Sequence, residues 1–217
     1  MSDRGTVVSV NVARKALVVT ERRRFTTAIR KRPIATERAE LGDDRVAGDD
    51  QADNESHGGP DRAVYAYACE DYAWWEAQLG RPLPPGLFGE NLTLTGIDVN
   101  GAAIGERWRV GDAILRVTSP RIPCYKLAHV VGEPDFVKRF AQAHRPGAYL
   151  AIERAATIGR GAAVEVISRP DAILTLAEFN KIYFDERERA AEFLAIPAMT
   201  DAWRAWAREQ LATHRAF

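Results

Sequence analysis

Short β-branched runs, broken every few residues by glycine or proline, fill most of the chain before residue 170, and that punctuation narrows the folds open to it. Residues 6–12, 16–20, 62–67, 91–94, 107–110, 113–119, 149–153 and 163–167 read as strands. The first two join around Arg14-Lys15. Gly111-Asp112 makes a tight turn between 107–110 and 113–119, and Gly159-Arg160-Gly161 lies between the last two. Val64, Ala68, Tyr72, Trp75 and Leu79 also fit one helical stripe, but Tyr65 and Tyr67 alternate about Ala66. A strand at 62–67 followed by a helix over about 70–79, stopped by Gly80 and Pro82, satisfies both patterns. A second helix spans 133–143, with Pro134 in its first turn. Residues 42–60 are rich in Gly, Asp and Asn and predict a long ordered loop. Without regular strand–helix alternation, the fold class is mostly β, a closed β-barrel with a few helices.

Composition changes after Arg169-Pro170. Thr175 and Glu178 form a capping-box pair that opens a helix to about Phe184. Asp185 can cap a second helix to Leu194, and Pro197 breaks it. Met199, Trp203, Trp206, Ala207 and Gln210 stripe a third. The chain thus divides into a barrel over 1–170 and a small three-helix appendage over 171–217. A piece so short packs on the barrel or on another subunit, the second case being a homodimer.

Charge excludes some functions. Thirty Lys and Arg balance thirty Asp and Glu, so no global field draws the chain to nucleic acid or membrane. Locally, Glu21-Arg22-Arg23-Arg24 and Arg30-Lys31-Arg32 are basic, and Asp43, Asp44, Asp49, Asp50, Asp53 and Glu55 are acidic; both read as solvated loop surface. Two cysteines without a C-x-x-C spacing suit a reducing cytoplasm. There is no apolar run of membrane length and no signal-peptide core. Walker A, dinucleotide and nucleophile-elbow motifs are missing, as is zinc-ligand spacing. His129 and His144 read as surface histidines.

Chemistry concentrates in Thr118-Ser119-Pro120-Arg121-Ile122-Pro123-Cys124-Tyr125-Lys126-Leu127. Two prolines stiffen an irregular segment. Arg121 and Lys126 lie within three residues of Cys124 and favour its thiolate, the form that binds metal or attacks electrophiles. A free cysteine otherwise serves as a small core hydrophobe. In His57-Gly58-Gly59-Pro60-Asp61-Arg62 the glycines let backbone N–H groups approach an anion, flanked by His57 and Arg62. Asn91 ends the turn of Leu87-Phe88-Gly89-Glu90-Asn91-Leu92.

Six segments in order resemble the MOSC family, in its YiiM-like branch. They are Thr27-Ala28-Ile29-Arg30-Lys31-Arg32-Pro33, Gly48-Asp49-Asp50-Gln51-Ala52-Asp53, His57-Gly58-Gly59-Pro60-Asp61-Arg62-Ala63-Val64, Phe88-Gly89-Glu90-Asn91-Leu92, Ser119-Pro120-Arg121-Ile122-Pro123-Cys124-Tyr125-Lys126-Leu127 and Arg145-Pro146-Gly147-Ala148-Tyr149-Leu150. The tail resembles the three-helix domain that often follows MOSC in this branch. Ala68-Cys69-Glu70 departs from the Pro-Arg-Glu-like helix entry of the family. The resemblance implies a β-barrel and molybdenum cofactor (molybdopterin), with Cys124 as the metal-associated, catalytic position. Lys31, His57, Gly58, Gly59, Arg62, Asn91, Arg121 and Lys126 are the cofactor-binding candidates beside it. A soft thiolate suits the metal, and cations with exposed N–H groups suit the pterin phosphate.

Members of this branch are linked to reduction of N-hydroxylated compounds such as hydroxylaminopurine-type base analogues, a detoxification. For such an oxidoreductase, electrons must come from an external flavin or iron–sulfur protein, because the chain carries no motif for either group. The rival expectations are a sulfur carrier using a Cys124 persulfide and a non-catalytic binding module whose tail docks a partner.

Overall fold

The computed structural model describes residues 3–20, 23–51 and 59–214. His57 and Gly58 therefore lie outside the described residues, as do Glu21, Arg22, Asp53 and Glu55. Strand β1 (Arg4–Val12) is followed by β2 (Ala16–Val19), β3 (Arg24–Thr27), β4 (Arg32–Pro33) and β5 (Arg38–Leu41). After these come β6 (Val64–Ala68), helix α1 (Cys69–Leu79), β7 (Leu92–Thr95), β8 (Arg107–Val110) and β9 (Ala113–Pro120). Helices α2 (Tyr125–Val131) and α3 (Phe136–Gln142) precede β10 (Ala148–Arg154), β11 (Ala156–Gly159) and β12 (Ala163–Ser168). The chain ends with α4 (Leu176–Phe184), α5 (Ala191–Ala195) and α6 (Asp201–His214).

Seven strands close a barrel in the order β12-β8-β9-β10-β6-β7-β1, and β1 pairs back onto β12. Neighbours are antiparallel except β6 and β7, which run parallel because α1 carries the chain across between them. Closure leaves no exposed barrel edge, the usual hazard of a sheet this size.

Period-two alternation explains how one strand serves two cores. Val64, Ala66 and Ala68 of β6 point into the barrel, with Leu92, Leu115, Val117 and Leu150. Tyr65 and Tyr67 point the other way, into an aromatic core with Tyr72, Trp75, Phe88, Phe136 and Phe140. Trp75 and Phe140 stack there 5.9 Å apart, and the Trp75 indole donates to the Tyr67 hydroxyl at 2.9 Å. The buried phenols are satisfied: Tyr65 donates to Pro146 O at 2.7 Å and Tyr67 to Arg145 O at 3.0 Å.

Several expectations change. β2 does not pair with β1 but folds back on β3, outside the barrel. β5 and β11 pair with each other and had no counterpart in the sequence reading, because their partners are more than a hundred residues apart. Residues 42–51 of the long loop run back against β1: Asp50 N–H donates to Ala13 O at 2.8 Å, and Asp49 accepts from Ala13 N–H at 2.8 Å. Cys124 ends its irregular segment at once, since α2 begins at Tyr125, and Gly132 in the left-handed region ends that helix. α3 consequently starts later than residue 133.

The tail keeps its predicted cap. The Thr175 hydroxyl accepts from Glu178 N–H at 3.2 Å, while Glu178 accepts from Thr175 N–H at 3.1 Å. The second helix splits into a 3-10 turn at Arg187–Arg189 and α5. Arg204 of α6 donates to four carbonyls, those of Leu194, Ile196, Pro197 and Met199, and so locks the α5–α6 turn. The tail packs on its own barrel: Leu174, Leu176, Phe179, Ile182, Phe193 and Met199 share one continuous core with the barrel interior. His144 is no bare surface histidine. Its Nδ1 lies 3.0 Å from Asn180 Oδ1 and its Nε2 3.2 Å from Asp185, bridging the barrel side to α4. No helix among the described residues is long and apolar enough to cross a membrane.

Candidate functional site

One cleft of ≈ 600 Å³, open solvent included, gathers most of the residues singled out by sequence. Lys31, Arg62, Asn91, Arg121, Cys124 and Lys126 all line it, though more than ninety residues separate the first from the last. Asp49, Gln51, Tyr65, Gly89 and Tyr149 are among the other residues of its wall. Gly59 does not face the cleft. It has φ of 90° just before the 3-10 turn Pro60–Arg62, and its N–H reaches Gln51 Oε1 at 3.4 Å.

Cys124 is half-buried and stands in extended backbone just before α2. Leu127 and Val131 root that helix in the aromatic core, so the thiol is carried by a rigid element. Cys69, by contrast, opens α1 away from the cleft, and burial with nearby Glu70 pushes its thiol pKa up. Both cysteines are free.

Arg121 forms the floor. It is 5% exposed, its Nη1 donates to Phe88 O, and its guanidinium lies 5.2 Å over the Tyr65 ring. Its Nε has no hydrogen-bond partner among the described residues. A buried charged donor left open in this way costs free energy unless an acceptor meets it. Gly89 makes the approach feasible: at φ of 81°, a Cβ here would stand 3.0 Å from the Ile29 side chain and 3.1 Å from Arg121 Nη1.

Lys31 is already committed. Its ammonium, with only 9% of the side chain exposed, pairs with Asp49. Burial pushes its pKa down and Asp49 opposes that shift. Asp49 itself is buried, not the solvated loop acid expected of its acidic run. Asn91 is committed too. Its amide donates to Asp49 at 2.9 Å and Asn11 O at 3.2 Å, and accepts from Tyr65 N–H at 3.1 Å. These two residues therefore hold the cleft wall, and Arg62, Arg121 and Lys126 line the same cleft.

Sequence reasoning missed Asp49 and Glu90 as structural members of this site. Glu90 is fully buried beneath the cleft and accepts from Tyr72 OH and Thr93 OH, each at 2.8 Å, and from Gly86 N–H. Burial pushes its carboxyl pKa up, against those hydrogen bonds. An acidic residue between Gly89 and Asn91 in the turn Phe88-Gly89-Glu90-Asn91-Leu92 was the available signal.

The described residues contain no His, Cys and carboxylate cluster able to hold a metal ion by itself. What the arrangement offers is one half-exposed thiol beside guanidinium and ammonium groups, the donor set for a soft metal centre with an anionic tail.

The MOSC domain model matches residues 53–165. An uncharacterized protein of Bacillus subtilis, YflK, is 34% identical over 206 residues, covering 94% of this chain and 93% of its own. A Gibberella moniliformis protein named reductase is 30% identical over 174 residues, covering 76% of this chain but only 30% of its own. The crystal structure of YiiM from Geobacillus stearothermophilus superposes with a TM-score of 0.79 at 32% identity, over 95% of this chain and 99% of that one. Barrel, cleft and relatives together place the chain in the MOSC domain family, among its YiiM-like members.

Proposed function

We propose that this cleft binds molybdenum cofactor through Cys124 and serves reduction of N-hydroxylated compounds, hydroxylaminopurine-type base analogues being the substrate class. The observation that carries the reading is the half-buried Cys124 thiol in one cleft with Arg62, Arg121 and Lys126. The residues fit the group. Cys124 offers a soft anionic ligand. Arg121 lines the cleft and brings a guanidinium charge to an anionic tail, to which Arg62 and Lys126 add theirs. Lys31, Asp49 and Asn91 keep the wall in place.

When bound, the cofactor supplies the oxygen-atom and electron transfer that no side chain here can perform. Two electrons and two protons cleave the N–O bond and give amine and water. An external flavin or iron–sulfur protein is the electron source, since this chain has no motif for such a group. The reductase name of a fungal relative supports the reaction class.

The test compares wild type, Cys124→Ser and Cys69→Ser, prepared from a host that makes the cofactor. Molybdenum content, N-hydroxy reduction and circular dichroism are measured for each. Cys124→Ser should lose metal and activity while keeping its fold, because the swap conserves volume but removes the soft anion. Cys69→Ser should match wild type. Full activity in Cys124→Ser would sink the reading. Cyanide-labile sulfur on Cys124 without molybdenum would favour the sulfur carrier instead.

A further inference from the structure

Tyr65, Tyr67, Tyr72 and Tyr149 are all buried, and the first three have their hydroxyls bonded. Tyr65 and Tyr67 donate to backbone carbonyls and Tyr72 donates to Glu90. Tyr149 is the exception. It is 8% exposed, yet its hydroxyl makes no hydrogen bond to a described residue. Nor is that oxygen sealed in: the enclosed side-chain atoms without a partner among the described residues are Glu90 Oε2, Arg121 Nε and Asn180 Nδ2. The Tyr149 hydroxyl therefore keeps contact with open space, and the open space that Tyr149 lines is the cleft. Buried side-chain hydroxyls nearly always find a partner, so this one is left for whatever occupies the cleft.

The phenol is carried by a rigid part of the barrel wall. β10 pairs with β6 on one side, Tyr149 opposite Tyr65, and with β9 on the other, Tyr149 opposite Ser119. The Tyr65 ring stands 5.1 Å from the Tyr149 ring, and the Arg62 guanidinium lies 5.9 Å over the latter. Arg121 is within electrostatic reach as well. Burial works against its charge, while Tyr149, Tyr65 and Cys124 favour it and its pKa stands raised.

Cleavage of an N–O bond needs an acid, because the oxygen leaves as water only once it is protonated. Few groups of the cleft can serve. Lys31 is paired with Asp49, and the Asn91 amide is no acid in water. The guanidinium groups of Arg62 and Arg121 do not give up protons. Cys124 is the metal ligand in the reading above. A neutral phenol carries a proton to give, and cations beside it stabilise the phenolate left behind.

We propose that Tyr149 is the catalytic acid of N-hydroxy reduction, its phenol protonating the hydroxylamine oxygen as the N–O bond breaks. The proposal rests on the reductase reading and adds the source of a proton to it. Two electrons from the external flavin or iron–sulfur protein, one proton from Tyr149 and one from solvent turn the N-hydroxy compound into amine and water. The phenolate, held by the charges of Arg62 and Arg121, then regains its proton from water.

The experiment compares full-length, cofactor-loaded wild type, Tyr149→Phe and Lys126→Gln. Reduced methyl viologen is the electron donor and a hydroxylaminopurine the substrate. Molybdenum content, unfolding midpoint, substrate Kd without reductant, and kcat per bound molybdenum are measured, the last with rising imidazolium at fixed pH. Tyr149→Phe keeps the ring, so it should hold wild-type molybdenum and midpoint, with substrate Kd within about threefold. Its kcat per molybdenum should fall about a hundredfold or more. That residual rate should climb with imidazolium, which replaces the missing acid, while the wild-type rate stays flat. Wild-type kcat in Tyr149→Phe would overturn the proposal alone. So would a loss of activity matched by loss of molybdenum, since the hydroxyl would then hold the cofactor. A slowed Tyr149→Phe enzyme that ignores imidazolium, or imidazolium dependence confined to Lys126→Gln, would overturn it too. Wild type that holds molybdenum but reduces no N-hydroxy compound would remove the proposal together with the reading beneath it.

Discussion

At the scale of single residues, the groups under the cleft matter as much as those lining it. Glu90 holds the turn that presents Phe88 O to Arg121, through its bonds to Gly86, Tyr72 and Thr93. Its other carboxylate oxygen has no partner among the described residues. Because burial raises its folded pKa above 4.5, the native state holds more protons than the unfolded chain between that value and the raised one. Its contribution to stability therefore falls as pH rises through that window. Glu90→Gln keeps an acceptor and should flatten this slope, with a change within about 1 kcal/mol. Glu90→Ala orphans three donors and should cost about 2–4 kcal/mol, read from urea midpoints across pH. Gly89→Ala meets Ile29 and Arg121 at a positive φ and should cost at least about 1–2 kcal/mol. It should also lower molybdenum retention.

Among the elements, helix α4 shows local sequence acting as written. Thr175→Ala removes an acceptor from Glu178 N–H and should cost about 1 kcal/mol in denaturant unfolding. Phe179 on the same helix meets Phe193 at 4.2 Å and Trp203 at 4.9 Å, so Phe179→Ala should cost about 3–5 kcal/mol. α2 shows the opposite case. Proline and cysteine before it, and only seven residues in it, hide a helix whose face is set by Leu127 and Val131 meeting the aromatic core. Propensity alone does not carry so short a helix; packing does.

For the whole molecule, the barrel and the final helices behave as one body. Ile104 N–H donates to Leu174 O at 3.0 Å, Leu176 N–H to Ala102 O at 3.0 Å, and Ala177 N–H to Asn100 O at 3.0 Å. Residues 102–104 are almost fully buried. Thermal unfolding should therefore give a single transition by tryptophan fluorescence and far-ultraviolet circular dichroism alike. Removing residues 171–217 should leave the barrel aggregation-prone rather than stable, because it exposes a continuous apolar core and orphans these backbone groups. A truncated barrel that unfolds cooperatively near the full-length midpoint would contradict this.

The sequence by itself determined what depends on near neighbours. Alternating Tyr65, Ala66 and Tyr67 specify a strand with two faces, Gly111-Asp112 a hairpin, and Thr175 with Glu178 a capped helix. The ordered segments also made the MOSC resemblance visible, and with it Cys124. Tertiary structure decided which of these meet. Nothing local tells Lys31 that its charge is spent on Asp49, or that Asn91 serves the wall, since the partners lie 18 and 42 residues from them. β2 leaves β1 for β3, and β5 finds β11, because strand partners are chosen by barrel closure and burial rather than by the residues of one strand. The open Nε of Arg121 is likewise a property of the packed fold: water would satisfy it in the unfolded chain, and only burial leaves it seeking an acceptor.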